Sequence, residues 1–417
     1  FLFFFISGIF FYLILRRIID NEVFSSLGAI TYLSYPYLFG QSMFSPKDIP
    51  FLSIWLVCTY FSFNIFKKLI FKNLIENKDI FILSFSTAYL LSIRIAGVLI
   101  LIQYLVLFLL FLNLYKKEFL IFVKDFYLKL LFFVFSLILF TYLLYPIFWI
   151  DPYFLFETIK INANHFNNVG TLTLGQIMYS KDLPSTYLII WFLVKIPLLI
   201  IIGILLIPLS EKKIFEDRER SIYFGTILIT TFLIPLFLIL KKVHLYDEIR
   251  QVMFLVPFVF ILGLVSIFTI SKKSYVMLTV LMISLFIIES IKINPYQYVW
   301  FNYPSRFIDL SKKFELEYQG ISGREIAKFI SQNENSNLCI LVNPIHTVRP
   351  FLNNTNSICY DIWQKIDTDY QRPFLAVQHV RNIKKSLPYD CKEIYQSNFQ
   401  LLFHREKFVT AKLLKCD

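Results

Sequence analysis

Ser45-Pro46-Lys47-Asp48-Ile49-Pro50-Phe51 breaks the chain between two uncharged apolar runs, Val23 to Gly40 and Phe51 to Phe66. Each run is close to the length that crosses ~30 Å of hydrocarbon as helix. The break therefore reads as the mouth of a membrane hairpin. Two prolines fix its backbone, and Pro50 suits the first turn of the next helix, where a missing N–H costs nothing. A lysine and an aspartate are left side by side at a bilayer boundary. They are placed to meet a lipid headgroup from one side and water from the other.

The pattern recurs along the chain. Apolar runs cover 1–15, 23–40, 51–66, 80–95, 97–114, 130–149, 187–208, 222–240, 252–270 and 275–292. Only Arg94 and Gly97 separate the fourth from the fifth, so one long tilted helix competes there. With 57% hydrophobic residues, 17% charged and a mean hydropathy of +0.62, a soluble domain could not cover its surface with polar groups. The expected class is a mainly α, polytopic bundle of about ten spans over 1–292. Phe1 lies already inside an apolar run, with no leader pattern before it, so at least one element is expected upstream.

The net charge of +12 needs no nucleic-acid partner. Sixteen Lys and Arg fall in one set of alternate loops and seven in the other. The richer set belongs in the cytoplasm by the positive-inside rule. The Lys47–Asp48 loop, the 150–186 loop, the 241–251 loop and everything after 292 are then outside. The expected location is the inner (plasma) membrane, with the C-terminal domain extracytoplasmic.

Residues 293–417 are more polar and contain no span. Ser322–Ser331 has a helical pattern, with Ile326, Phe329 and Ile330 on its apolar side. Leu338–Val342 reads as a buried strand, and Phe399–His404 and Phe408–Leu414 as a strand pair. A small α/β domain is expected. It holds four of the five cysteines, Cys339, Cys359, Cys391 and Cys416, and an oxidising compartment predicts at least one disulfide among them. Cys58, in mid-span, reads as a small apolar residue.

Charges in the outer loops are few, and ionisable groups near hydrocarbon are usually paired or functional. Lys47, Asp48, Arg94 and Arg250 are therefore the candidate site. His165, in the long 150–186 loop, is a candidate proton carrier or ligand, beside an interfacial stretch Phe154–Ile161. The chain has no P-loop, G-x-G-x-x-G, H-E-x-x-H or G-x-S-x-G. Asp367-Thr368-Asp369 matches the D-x-D of metal-holding sugar-nucleotide transferases, a three-residue pattern of low specificity.

The order of motifs adds to this. Tyr35-Pro36 precedes the Ser45–Phe51 break, followed by Ser92-Ile-Arg94-Ile-Ala-Gly97, Leu183-Pro-Ser-Thr-Tyr187, Lys195-Ile-Pro197 and Tyr246-Asp-Glu-Ile-Arg250. Asn294-Pro-Tyr-Gln-Tyr-Val-Trp-Phe-Asn302 and Phe314-Glu-Leu-Glu-Tyr318 follow, then Gly320, Ser322 and Glu325. Over about residues 1–330 this resembles the bacterial membrane glycosyltransferases of GT-C type, related to dolichyl-phosphate-mannose protein mannosyltransferases and to the lipid A aminoarabinose transferase. The resemblance implies transfer of a sugar from a polyprenyl-phosphate donor to a lipid, glycan or protein acceptor outside the membrane. It places the main catalytic acid in an outer loop upstream of Phe1 and matches Asp48 to a second functional acid. Tyr246, Asp247, Glu248 and His165 become acceptor or loop candidates.

The chemistry asks for the same residue types. A carboxylate must take the acceptor's proton, and cations must stabilise the leaving phosphate. Lys47, Arg94 and Arg250 could converge on one phosphate, Arg as a bidentate donor and Lys as a point charge. No cofactor is required, and a divalent metal is left open. A transporter or lipid flippase is the competing class; it predicts internal repeats and broken helices near the midplane. Sugar and acceptor identity are not encoded in these patterns.

Overall fold

A computed structural model describes residues 1–71, 73–151, 153, 154, 157, 168–333, 339–342, 344–352, 358–360, 373–380 and 390–416. They form two compact units. The first comprises Phe1–Gly170 and Met178–Ile287, the second Thr171–Ile177 and Ile288–Asp417. The boundary falls a few residues before the expected one at 292, and a segment of the 150–186 loop joins the second unit.

Among the described residues, seven helices are long and apolar enough to cross a membrane: Leu2–Ile19, Asp48–Ile70, Ile95–Leu114, Phe126–Leu144, Arg218–Leu240, Arg250–Ile270 and Lys272–Lys292. The chain is mainly helical, and by length and composition these helices are candidate membrane spans. Burial ranks them. Some 78% of the apolar window of Asp48–Ile70 and 83% of that of Arg250–Ile270 is buried, against 11% for Phe126–Leu144. The first two are thus the centre of their unit, and Phe126–Leu144 presents its apolar side chains outward, as a lipid-facing helix does.

The expectation of ten unbroken spans is corrected at three places. The 23–40 run splits into Glu22–Ser34 and Pro36–Phe44, because Pro36 lacks an N–H and pushes Tyr35 into an extended conformation. The 187–208 run splits at Ile196-Pro197 into Tyr187–Lys195 and Leu198–Leu205, bent by 115°; counted as one span, the pair makes an eighth. The 80–95 run forms Asn77–Ile93, a helix of 17 residues. Arg94 then takes φ −153°, ψ 135°, which excludes one long helix through 80–114.

Close backbone contact fixes the bent pair. A Cβ built on Gly203 would lie 2.4 Å from the carbonyl oxygen of Gly263, and one on Gly263 would lie 2.6 Å from that of Ile200. Neither neighbour is a side chain that can swing away. Gly203→Ala should therefore destabilise the protein by about 1–3 kcal/mol through overpacking. A lowered thermal midpoint in detergent would register this; an unchanged midpoint would show that the two helices can separate without cost.

The 150–186 stretch, read from sequence as a loop, contains a hairpin, β1 (Gly170–Thr173) and β2 (Gln176–Tyr179), whose residues 171–177 belong to the second unit. Its segment 171–177 is tied to 313–315: Glu315 N–H donates to Leu172 O (2.8 Å) and Gly175 N–H to Lys313 O (3.0 Å). Among the described residues the main sheet has five strands, β3 (Cys339–Val342), β4 (Ile358–Tyr360), β5 (Phe374–His379), β6 (Cys391–Phe399) and β7 (Phe408–Cys416), in the order β4-β3-β5-β7-β6. β3 is parallel to β4 and β5, and β7 is antiparallel to β5 and β6. The helix Ser322–Asn333 lies where its pattern predicted, with Ile326, Ala327 and Ile330 against Ile340, Val342, Leu375, Val377 and Leu413.

Two strand assignments change. Of the expected strand Phe399–His404 only Phe399 is in β6, which starts at Cys391; Gln400–His404 belongs to the connection after it. The central β5 was missed because all six of its residues are buried, so it carries no alternation. A disulfide joins Cys391 to Cys416, which face each other across β6 and β7 with Cα atoms 4.1 Å apart. Cys339 is also disulfide-bonded, and Cys58 is a buried free thiol.

A chain of buried polar groups crosses this unit. Thr347 Oγ1 donates to Pro344 O (2.7 Å) and lies 2.8 Å from His379 Nε2. His379 Nδ1 lies 3.2 Å from Ser322 Oγ, which reaches Glu317 Oε2 at 3.4 Å. Burial, reinforced by the nearby His346, lowers the His379 pKa to about 4 from 6.5. The unfolded chain then binds this proton first as pH falls. The stability tied to neutral His379, about 3 kcal/mol, is complete above pH 6.5 and is lost towards pH 4. The thermal midpoint should fall steeply between pH 6.5 and 4 in the wild type and much less in His379→Gln. Equal slopes would remove His379 as the cause.

Candidate functional site

Three helix ends of the first unit meet at one carboxylate. Asp48 opens the helix Asp48–Ile70, where a first-turn acid is favoured by the helix dipole. Arg94 closes Asn77–Ile93 in an extended conformation, just before a 3₁₀ turn, Ile95–Leu99. Arg250 opens another 3₁₀ turn, Arg250–Leu255, which leads into Val256–Ile270. Asp48 Oδ1 accepts from Arg94 Nη1, and Asp48 Oδ2 lies 3.0 Å from Arg250 Nε. Arg250 Nη1 donates to Asp247 Oδ2 at 3.0 Å.

The Asp48 side chain is 8% exposed, while each arginine keeps 24% of its side chain exposed. Both arginines therefore hold an inward carboxylate and still face outward. Beneath them is an aromatic floor: Phe51 packs edge-on to Phe254 (5.3 Å), Trp55 lies against Phe254 (4.2 Å), and the Arg94 guanidinium sits 5.8 Å from the Phe51 ring.

A second ion pair lies deeper. Lys195 Nζ is 2.8 Å from Glu248 Oε1, and neither side chain has any exposure. The ammonium is 5.2 Å from the Tyr37 ring and 5.7 Å from the Trp191 ring. Tyr35 Oη donates to Lys195 O (2.6 Å), and Glu248 N–H donates to Tyr187 Oη (3.1 Å). Asp247 and Glu248 both have left-handed backbones, φ 55° and 66°. Tyr187 also lines an open cleft of about 480 Å³ with Lys181, Asp182, Pro184, Lys242 and Leu245.

The sequence candidates thus divide. Asp48, Arg94 and Arg250 come together, and Asp247 joins them. Glu248 turns away to Lys195. Tyr246 places its ring 5.7 Å from the Arg250 guanidinium. Lys47 is exposed and makes no ion pair among the described residues, so the expected third converging cation does not join the cluster. Consecutive side chains at a helix start diverge by about 100°, which carries Lys47 outward as Asp48 turns in. His165 and Asp367-Thr368-Asp369 lie outside the described residues. Among the described residues, no three His, Cys, Asp or Glu side chains are grouped to hold a metal.

Lys195 is the residue missed. Its signal was available: a single charge between Tyr187–Val194 and Ile196–Ile207, in an otherwise apolar stretch. No family model, curated protein or solved structure matches the chain.

Proposed function

We propose that this chain is a membrane glycosyltransferase that moves a sugar from a polyprenyl-phosphate donor to a lipid, glycan or protein acceptor at the outer face of the plasma membrane. The observation that carries the reading is the meeting of Asp48, Arg94 and Arg250 at one set of helix ends, with both guanidiniums partly open. The residues span 202 positions of sequence, so their meeting is a product of the fold.

In the reaction, the bond between the sugar's anomeric carbon and the phosphate oxygen breaks, and a bond to the acceptor oxygen forms. The acceptor's proton passes to a carboxylate that acts as general base. The polyprenyl phosphate leaves with the negative charge. Arg94 and Arg250 supply cations for that charge. Asp48 has each oxygen committed to one arginine, so its role here is to hold the two guanidiniums at a common distance. The 480 Å³ cleft beside Tyr187 is the assigned acceptor approach.

The deciding experiment is release of labelled sugar from a polyprenyl-phosphate donor by the full-length protein in nanodiscs. Release that depends on Arg94 and Arg250 supports the transferase. The 115° break at Ile196-Pro197, next to a buried ion pair, favours a transporter as the second reading. Lipid flux in proteoliposomes without sugar release would select it instead.

A further inference from the structure

Three irregular backbones converge on the Lys195–Glu248 pair. Tyr35, which separates Glu22–Ser34 from Pro36–Phe44, donates its hydroxyl to the Lys195 carbonyl at 2.6 Å. Lys195 is the last helical residue before the 115° bend. Glu248 is the second of two consecutive left-handed residues, at φ 66°. Residues other than glycine, and occasionally Asn or Asp, rarely take that conformation, because Cβ crowds the following carbonyl. Asp247 accommodates it through its short polar side chain; Glu248 has no such help and needs an external restraint.

The restraint is twofold: the Glu248 carboxylate on Lys195 Nζ at 2.8 Å, and the Glu248 N–H on Tyr187 Oη at 3.1 Å. Burying two charges completely is expensive and is often no better for stability than an apolar pair. Such a pair can instead serve to specify one conformation. Only Ile249 separates Glu248 from Arg250, and Asp247, on the other side of Glu248, holds Arg250 Nη1. The turn that Glu248 fixes therefore sets where Arg250 meets Asp48.

We infer that Lys195 and Glu248 are positioning residues: a buried latch that holds the left-handed 247–248 turn and so aims Arg250 at Asp48. The consequence for a ligand, tighter capture of a polyprenyl phosphate, rests on the function proposed above. The positional consequence does not.

The test uses a latch variant that leaves no charge unpaired, Lys195→Met/Glu248→Gln, in the full-length protein in nanodiscs. In the wild-type background, Asp48→Asn and Arg250→Gln should lower the thermal midpoint non-additively, because they break one contact. In the latch variant the same two substitutions should become additive. Phe111→Leu, a buried change outside this cluster, should lower the midpoint and keep the non-additivity. Retained coupling in the latch variant, or coupling lost equally in Phe111→Leu, would overturn the latch. Undecaprenyl phosphate serves as the probe for the second arm, and its dissociation constant should rise at least ~10-fold in the latch variant. A wild type that does not bind it, together with coupling lost only in the latch variant, would support the latch and reject the donor reading. Binding of equal strength in wild type and latch variant would overturn the latch's role in capture.

Discussion

Glu289→Gln should cost the protein about 3–5 kcal/mol, because it leaves the Arg306 guanidinium buried without its counter-charge. Arg306 Nη1 lies 2.8 Å from Glu289 Oε2, with side chains 1% and 0% exposed. The remaining guanidinium donors are committed to the chain itself: Nε and Nη2 to Phe301 O, at 2.9 and 2.6 Å, and Nη1 also to Leu402 O. Glu289 Oε1 accepts from Leu402 N–H at 2.9 Å. The pair thus ties the last turn of Lys272–Lys292 to 301–306 and to the connection after β6. The Tyr303 ring, 4.5 Å from the guanidinium, closes the site. Against a typical stability of about 5–15 kcal/mol, such a loss is severe. It should appear as protease sensitivity of the second unit at temperatures where the wild type resists. Glu289→Leu/Arg306→Leu removes both charges and should be the milder variant. A single Glu289→Gln that matches the wild type would mean that the pair is solvated and dispensable.

Under the proposed transferase function, Asp48→Asn should reduce sugar transfer by about 10²-fold or more while the protein still folds. The amide keeps the size of the side chain and removes the charge on which both arginines close. Two considerations separate this effect from the first. Both guanidiniums are partly exposed, and Arg250 retains Asp247, so no fully buried charge is orphaned. The stability cost is therefore smaller than for Glu289→Gln. The loss of activity is larger, because cations that stabilise a leaving phosphate must be held in place before the charge develops. An Asp48→Asn enzyme of full activity, with an unchanged thermal midpoint, would remove Asp48 from the site. Loss of activity accompanied by general unfolding would assign it a purely structural role.

Much of the site could be read from charge rarity. Asp48, Arg94 and Arg250 stood out because so few charges flank the apolar runs on one side, and the fold brings those three together. Lys47 shared the same signal, yet it points outward, since neighbouring residues at a helix start face different directions. Glu248 was grouped with Asp247 by adjacency, and two left-handed residues in succession send their side chains to different partners. Those φ values belong to the folded turn and have no glycine to announce them. The spans followed the same logic. Apolar length located the helical segments, while Tyr35-Pro36 and Ile196-Pro197 broke two of them into shorter, angled pieces. In the second unit, the amphipathic helix Ser322–Asn333 was legible from its period. The central strand β5, buried on both faces, was hidden for lack of one.

The central claim is that Arg94 and Arg250, set by Asp48, form the seat of a lipid-linked phosphate. Equilibrium binding of undecaprenyl phosphate to the full-length protein in nanodiscs tests it most directly. Arg94→Gln and Arg250→Gln should each weaken binding by about 10-fold or more, as expected for loss of a charge-assisted contact. Lys213→Gln, an exposed change in the helix Ile207–Ile214, should leave binding unchanged. Binding of equal strength in all four proteins, or none in the wild type, would contradict the account.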